Sequence, residues 1–228
     1  MKTKTVAISL FLMIASGLVA DAARAGMVRV AKRYSVLDFL GGCSKPVGTF
    51  DGIGPTDFDA DGVPKQADAD DAFDPSFHLA LSYGQLRNDH MLYQLGFRYT
   101  NIKDVDTITT TDGQRIYYQG VDPVFRQFDL DFNFNYLFMN ITKTFLAPYV
   151  GVGFRAGMTT VGGEGYSTEA ELNIATAVNA GAEVKVWQAP KGRSFVTLAS
   201  ANSYEFYVSG NRPRYLNIGL GLKYYYRM

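Results

Sequence analysis

The stretch Tyr215-Leu-Asn-Ile-Gly-Leu-Gly-Leu-Lys-Tyr-Tyr-Tyr-Arg-Met228 decides the fold. Leu216, Ile218, Leu220, Leu222, Tyr224, Tyr226 and Met228 fall on one set of alternate positions. Asn217, Gly219, Gly221, Lys223, Tyr225 and Arg227 fall on the other. A repeat of two is the signature of a strand, whose successive side chains point to opposite sides. On a helix the same leucines would scatter around the circumference. An apolar face ending in tyrosines, opposite a small and polar face, fits a soluble sheet or a strand facing lipid.

Residues 127–138 separate these readings. Phe128, Leu130, Phe132, Phe134, Tyr136 and Phe138 share one face, and Gln127, Asp129, Asp131, Asn133 and Asn135 the other. Six successive large apolar positions opposite such a polar row are what a membrane barrel needs, with lipid outside and a polar lumen inside. The same alternation recurs at Phe77 to Gly84, Met91 to Thr100, Leu146 to Arg155 and Glu171 to Val186. Residues 194–207 are less regular, with an expected slip of phase, a bulge, near Ala199-Ser-Ala201. Residues 27–41 supply the first strand if Val28, Val30, Tyr34, Val36 and Leu40 form its apolar face. A short amphipathic helix lying on the membrane is the competing reading there.

The links between strands alternate in length. They are long after the first, third and fifth strands, short after the second, fourth and sixth, and intermediate after the seventh. Short periplasmic turns and longer extracellular loops produce that pattern. The expected fold is all-β, an eight-stranded antiparallel transmembrane β-barrel. A barrel of eight is just wide enough for side chains to fill it.

Residues 1–25 read as a cleaved signal peptide preceding the barrel at 26–228. Lys2 and Lys4 make the positive start, Val6 to Ala20 the apolar run, and Ala23-Arg-Ala25 the cleavage site. Export places the chain beyond the inner membrane, and the lone Cys43 forms no internal disulfide there. Lysine and arginine together number 22, as do aspartate and glutamate. That balance gives no basic face for nucleic acid.

The signal peptide, the alternating strands and the aromatic strand 215–226 resemble the small outer-membrane barrels: the OmpA membrane domain, OmpX and OmpW. The resemblance covers the mature chain and implies residence in the bacterial outer membrane. It also implies contact with lipid and lipopolysaccharide, insertion by the barrel machinery, and loops that meet a surface ligand. Such barrels usually end on an aromatic residue read by that machinery, whereas this chain ends Tyr226-Arg-Met228.

Three groups of residues are candidates for function. Reflecting strands about their links brings Arg98, Asp129, Arg155 and Glu171 into a charge belt around the lumen. Asp131, Glu183, Lys185 and Lys223 extend it toward the periplasm. The belt reads as a polar plug that fixes register, or as the constriction of a narrow channel for small solutes. Catalysis on lipid would rest on His78 or His90, and neither sits in a motif for such chemistry. The expected role is therefore structural or surface-directed and non-catalytic, without a cofactor.

The acidic loop 44–74 holds the third group. Asp57, Asp59, Asp61 and Asp68, with Gly62, match the spacing of a calcium loop. Asp68 replaces the usual bidentate glutamate and Pro64 intrudes, so a solvated acidic loop is the expectation. Calorimetric titration of the mature protein with Ca²⁺ should therefore give no saturable heat at millimolar concentration; a saturable isotherm would assign a metal to the four aspartates.

Overall fold

The computed structural model describes residues 33–47, 49–51, 66–68, 75–103, 107–109, 115–117, 124–162, 170–208 and 214–227. The strands are β1 (Tyr34–Val47), β2 (Thr49–Asp51), β3 (Gln66–Asp68), β4 (Ser76–Arg87), β5 (Met91–Lys103) and β6 (Thr107–Thr109). They continue with β7 (Arg115–Tyr117), β8 (Val124–Leu137), β9 (Leu146–Gly162), β10 (Ala170–Gln188), β11 (Ser194–Tyr207) and β12 (Arg214–Arg227). Among the described residues eight of these close one antiparallel barrel in the order β1-β12-β11-β10-β9-β8-β5-β4. The ring shuts through β1, which pairs β12 from Tyr34↔Arg227 to Val47↔Arg214 and β4 from Tyr34↔Leu86 to Ser44↔Ser76. The signal-peptide segment lies outside the described residues.

The barrel is apolar outside and polar within. Phe39, Leu81, Phe97, Phe128, Val152, Leu172, Ile218 and Leu220 are exposed, Phe97 to 71% and Leu220 to 64%. Buried inside are Asp38, Arg98, Asp129, Asp131, Arg155, Glu183, Glu205 and Lys223. In water this distribution would be inverted; in lipid it is the stable one. A soluble sandwich is thereby excluded. The barrel strands run from 12 residues in β4 to 19 in β10, above the roughly 9–11 that cross the hydrocarbon.

Aromatic side chains also line both ends of the exterior. Tyr83, Tyr136, Phe138, Trp187, Tyr224 and Tyr226 face outward near the short turns, and Tyr204 and Phe206 toward the other end.

The short turns carry local signals. Asn88 and Asp89 take φ of 50° and 62°, a left-handed pair that Asn and Asp tolerate, in a three-residue link where the His90 amide donates to the Arg87 carbonyl at 3.2 Å. Asn140 holds the next turn by accepting from the Thr142 amide at 2.9 Å and donating to Asp89 at 2.9 Å. Lys191 and Gly192 complete the third with φ of 65° and 62°. At the opposite end two small hairpins, β2–β3 and β6–β7, lie within the long loops.

Three expectations are corrected. The first strand runs on through Val47, so residues 44–47 leave the acidic loop, and residues 27–32 lie outside the described part. Its faces are also exchanged: Leu37 and Phe39 point to lipid, while Val36 is buried and Leu40 lines the interior. The reason is that the lumen near the short turns is itself apolar. Tyr34, Val36, Leu86, Leu92, Leu137, Ile141, Ala147, Phe195 and Tyr225 pack there as a core. The rings of Phe195 and Tyr225 stack at 4.5 Å, and Tyr34 meets Phe195 edge-on at 5.4 Å. Apolar residues at inward positions defeat a rule that assigns every apolar side chain to lipid.

The expected bulge at Ala199-Ser-Ala201 is absent, since β11 pairs β12 without interruption from Ser194 to Glu205. The irregularity falls instead between Lys185 and Trp187 of β10. The third correction concerns Glu171 and is described with the charges below.

Because Leu220 faces lipid near the middle of β12, Leu220→Lys should destabilise the barrel by about 2–4 kcal/mol in vesicles. Denaturant unfolding in a bilayer measures this; a neutral result, as expected of a water-facing position, would contradict the membrane placement.

Candidate functional site

The lumen charges form two groups, one above the other. Arg98 on β5 is in register with Asp129 on β8, and Asp131 on β8 with Arg155 on β9. Inward positions two apart on one strand sit a single pleat repeat away from each other, so these four share a level. Arg98 lies 3.7 Å from Asp131 through Nε and 3.2 Å from Glu205 through Nη1. Arg155 bonds Asp131 at 3.2 Å through Nε and meets Glu205 through Nη1. Two guanidiniums thus share two carboxylates, in a space where Arg155 is 2% exposed. Asp129 is buried beside them and accepts from Gln127 Nε2 at 2.9 and 3.1 Å.

Glu171 does not join Arg155. Its strand position pairs with Thr159, whereas Arg155 pairs with Ala175, four residues further along β10. β9 runs on to Gly162 and β10 begins at Ala170, so the centre of reflection lies two residues beyond the middle of the link expected at 158–168. Glu205 takes the position instead. The false slip at 199–201 hid it, although Phe195, Thr197, Ala199, Ser203 and Glu205 all occupy one buried face.

The second group lies toward the short turns. Lys223 on β12 approaches Glu183 of β10 at 2.8 Å and Asp38 of β1 at 3.8 Å. Glu183 also accepts from Thr197 at 3.0 Å and from the Tyr225 hydroxyl at 2.7 Å. Tyr225 therefore links these charges to the apolar core beneath. Asp38 accepts from Gln94 at 2.7 Å. Lys185, expected in the belt, sits at the rim and donates to the Thr142 carbonyl and the Gln188 amide, both at 3.1 Å.

A polar relay fixes the state of His78. Asn217 Nδ2 turns to the Glu205 carboxylate and to Ser203 Oγ at 3.0 Å, which aims its Oδ1 at Ser44. Ser44 Oγ donates there at 2.5 Å. Its hydrogen is then spent, so the 3.0 Å contact with His78 Nδ1 has the ring as donor. His78 Nε2 is left as a lone pair inside the barrel, 1% exposed and away from lipid. The ring folds over Gly42, where an added Cβ would come 2.6 Å from the Gly219 Cα and 2.9 Å from His78 Cε1. His90 belongs to a turn, with Nδ1 2.7 Å from the Leu137 carbonyl oxygen and its ring stacked on Tyr136. Of the calcium-loop candidates, Asp68 ends β3 opposite Thr49. Asp57, Asp59 and Asp61 lie outside the described residues.

Arg155→Ala would leave Asp131 without one of its two cations and Glu205 likewise, in a site closed to water. Removing one partner of a buried ion pair costs about 3–5 kcal/mol. The variant should lose most of that stability in denaturant unfolding, and Arg155→Lys should lose less.

No protein family and no curated protein matches the sequence. Among solved structures, the Neisserial surface protein A is similar, at 17% identity and a TM-score of 0.48, over 84% of this chain and 95% of that one. OprG from Pseudomonas aeruginosa gives 13% and 0.49, over 85% and 96%. Ail from Yersinia pestis gives 12% and 0.43, over 86% and 100%. The membrane assignment rests on the closed ring of strands, the apolar exterior and the charges enclosed within it. The chain is an eight-stranded antiparallel transmembrane β-barrel, its ring closed by β1 against β4 and β12.

Proposed function

We propose that this protein is a closed scaffold of the outer membrane, structural or surface-directed and without catalysis or cofactor, presenting its long loops outside the cell. The supporting observation is the double closure of the lumen. The paired charges fill its middle, and the apolar core from Tyr34 to Tyr225 seals the end carrying the short turns. A dry aromatic base is a poor route for hydrated solutes, since polar groups would have to shed water to cross it. Lipid, lipopolysaccharide and the insertion machinery are the partners this placement brings. The acidic loop, now from residue 48 onward, is the surface that a ligand would meet.

A narrow channel is the second reading, and one observation favours it. Asp131 and Glu205 each contact both arginines, so a pair can be exchanged without leaving either guanidinium unpaired. Lipid chemistry has less support, because His78 faces the lumen and not a lipid leaflet. Single-channel recording of the refolded mature protein in a planar bilayer distinguishes scaffold from channel. The expected record is silent, with folding verified by heat-modifiable gel migration. Discrete, reproducible openings would overturn the scaffold and make Arg98, Asp131, Arg155 and Glu205 the constriction.

A further inference from the structure

On the outside of the barrel, the ends of β12, β1 and β4 align their side chains in rows that face lipid. Leu37 is in register with Tyr224 on one side and Tyr83 on the other, and Ser35 with Tyr226 and Gln85. One residue beyond the Tyr34↔Leu86 pair, Arg33 and Arg87 stand on neighbouring strands. Both continue the outward alternation, Arg33 from Leu37 and Ser35, Arg87 from Tyr83 and Gln85. The face therefore changes from apolar and aromatic, through hydroxyl and amide, to cationic as it nears the short turns.

The tyrosines mark the depth. Leu37, Tyr83 and Tyr224 are exposed, and the Tyr224 and Tyr226 rings stack at 5.8 Å. Outward tyrosines at a barrel end lie at the level of the lipid headgroups, with the ring toward the chains and the hydroxyl toward water. The Tyr83 hydroxyl meets Ser35 Oγ there at 3.0 Å. Arg33 and Arg87 lie one pleat repeat further toward water, at the depth of lipid phosphates. Like charges side by side on adjacent strands repel, yet among the described residues no carboxylate pairs with either arginine. Asp89, two residues from Arg87, has Oδ2 on the Asn140 amide at 2.9 Å. Asp38 and Glu183 are inside the barrel and are taken by Lys223. A carboxylate at Met228, outside the described residues, would offset one of the two charges and leave the other.

We propose that Arg33 and Arg87 bind the phosphate of an anionic phospholipid in the leaflet on the short-turn side. A phosphodiester accepts from two guanidiniums at once and relieves their repulsion. Two cations against one phosphate leave positive charge, which repels the ammonium of a zwitterionic headgroup and favours a headgroup without one. The acyl chains lie along Leu37, Phe39 and Leu81, exposed on the same face. The site follows from the membrane placement, whether or not the lumen conducts.

The test is native mass spectrometry of the whole refolded barrel from micelles holding equal amounts of phosphatidylglycerol and phosphatidylcholine with the same chains. One phosphatidylglycerol should be retained in preference. Arg33→Gln and Arg87→Gln should each lower that preference by roughly fivefold. Lys143→Gln, which removes an exposed cation of another short turn, should leave it unchanged. Heat-modifiable gel migration verifies the folding of each variant. Equal retention of the two lipids by the unaltered barrel overturns the site. An equal loss in Lys143→Gln does so too, because it would show diffuse attraction to a basic end. Displacement of the lipid by millimolar inorganic phosphate would assign the arginines to free phosphate and overturn the lipid. If neither arginine variant folds, the unaltered barrel decides by its preference and by the resistance of its lipid to phosphate.

Discussion

A strand in hydrocarbon has no water to satisfy its backbone, so every N–H and C=O must find a partner within the protein. That constraint is met by closure: β1 pairs along both edges, with β12 on one side and β4 on the other, and no edge is left. The remaining features follow from this ring. It fixes eight inward rows and eight outward rows, and it forces the outward rows to be apolar. The inward rows enclose a space that side chains must occupy.

How that space is filled changes along the axis. Near the short turns Phe195, Tyr225, Leu86 and Leu92 make an ordinary apolar core, stabilised as in a soluble protein by removal from water. Higher up the inward rows carry charge, and each charge must be matched by another because solvent cannot do it. Arg98 and Arg155 resolve this by sharing Asp131 and Glu205. Tyr225 joins the two regimes, with its ring on Phe195 and its hydroxyl on Glu183. The small residues between the charge groups leave a cavity of about 50 Å³ in the lumen.

Much of the fold was legible because a lipid-facing row is chemically unmistakable. Phe128 to Phe138 and Leu216 to Tyr224 repeat an apolar residue every second position, and lipid accepts nothing else. The errors share one cause. Apolarity alone sends Val36 and Leu40 outward, and the polar Ser200 and Asn202 on the outward row make Ala199-Ser-Ala201 look like a slip of phase. Each is an exception to the rule that polarity reports facing, and the pairing with a neighbouring strand is what reveals it.

The sequence by itself determined the strands, their antiparallel succession, the lipid-facing rows and the presence of buried charges of both signs, since these depend on local alternation and link length. Which charges meet was decided only by the tertiary structure. Glu205 and Asp38 reach their cations across strands distant in sequence, and Glu171 misses Arg155 by four residues. Contacts across a closed lumen depend on register, and a shift of two residues in register preserves every facing while changing every partner.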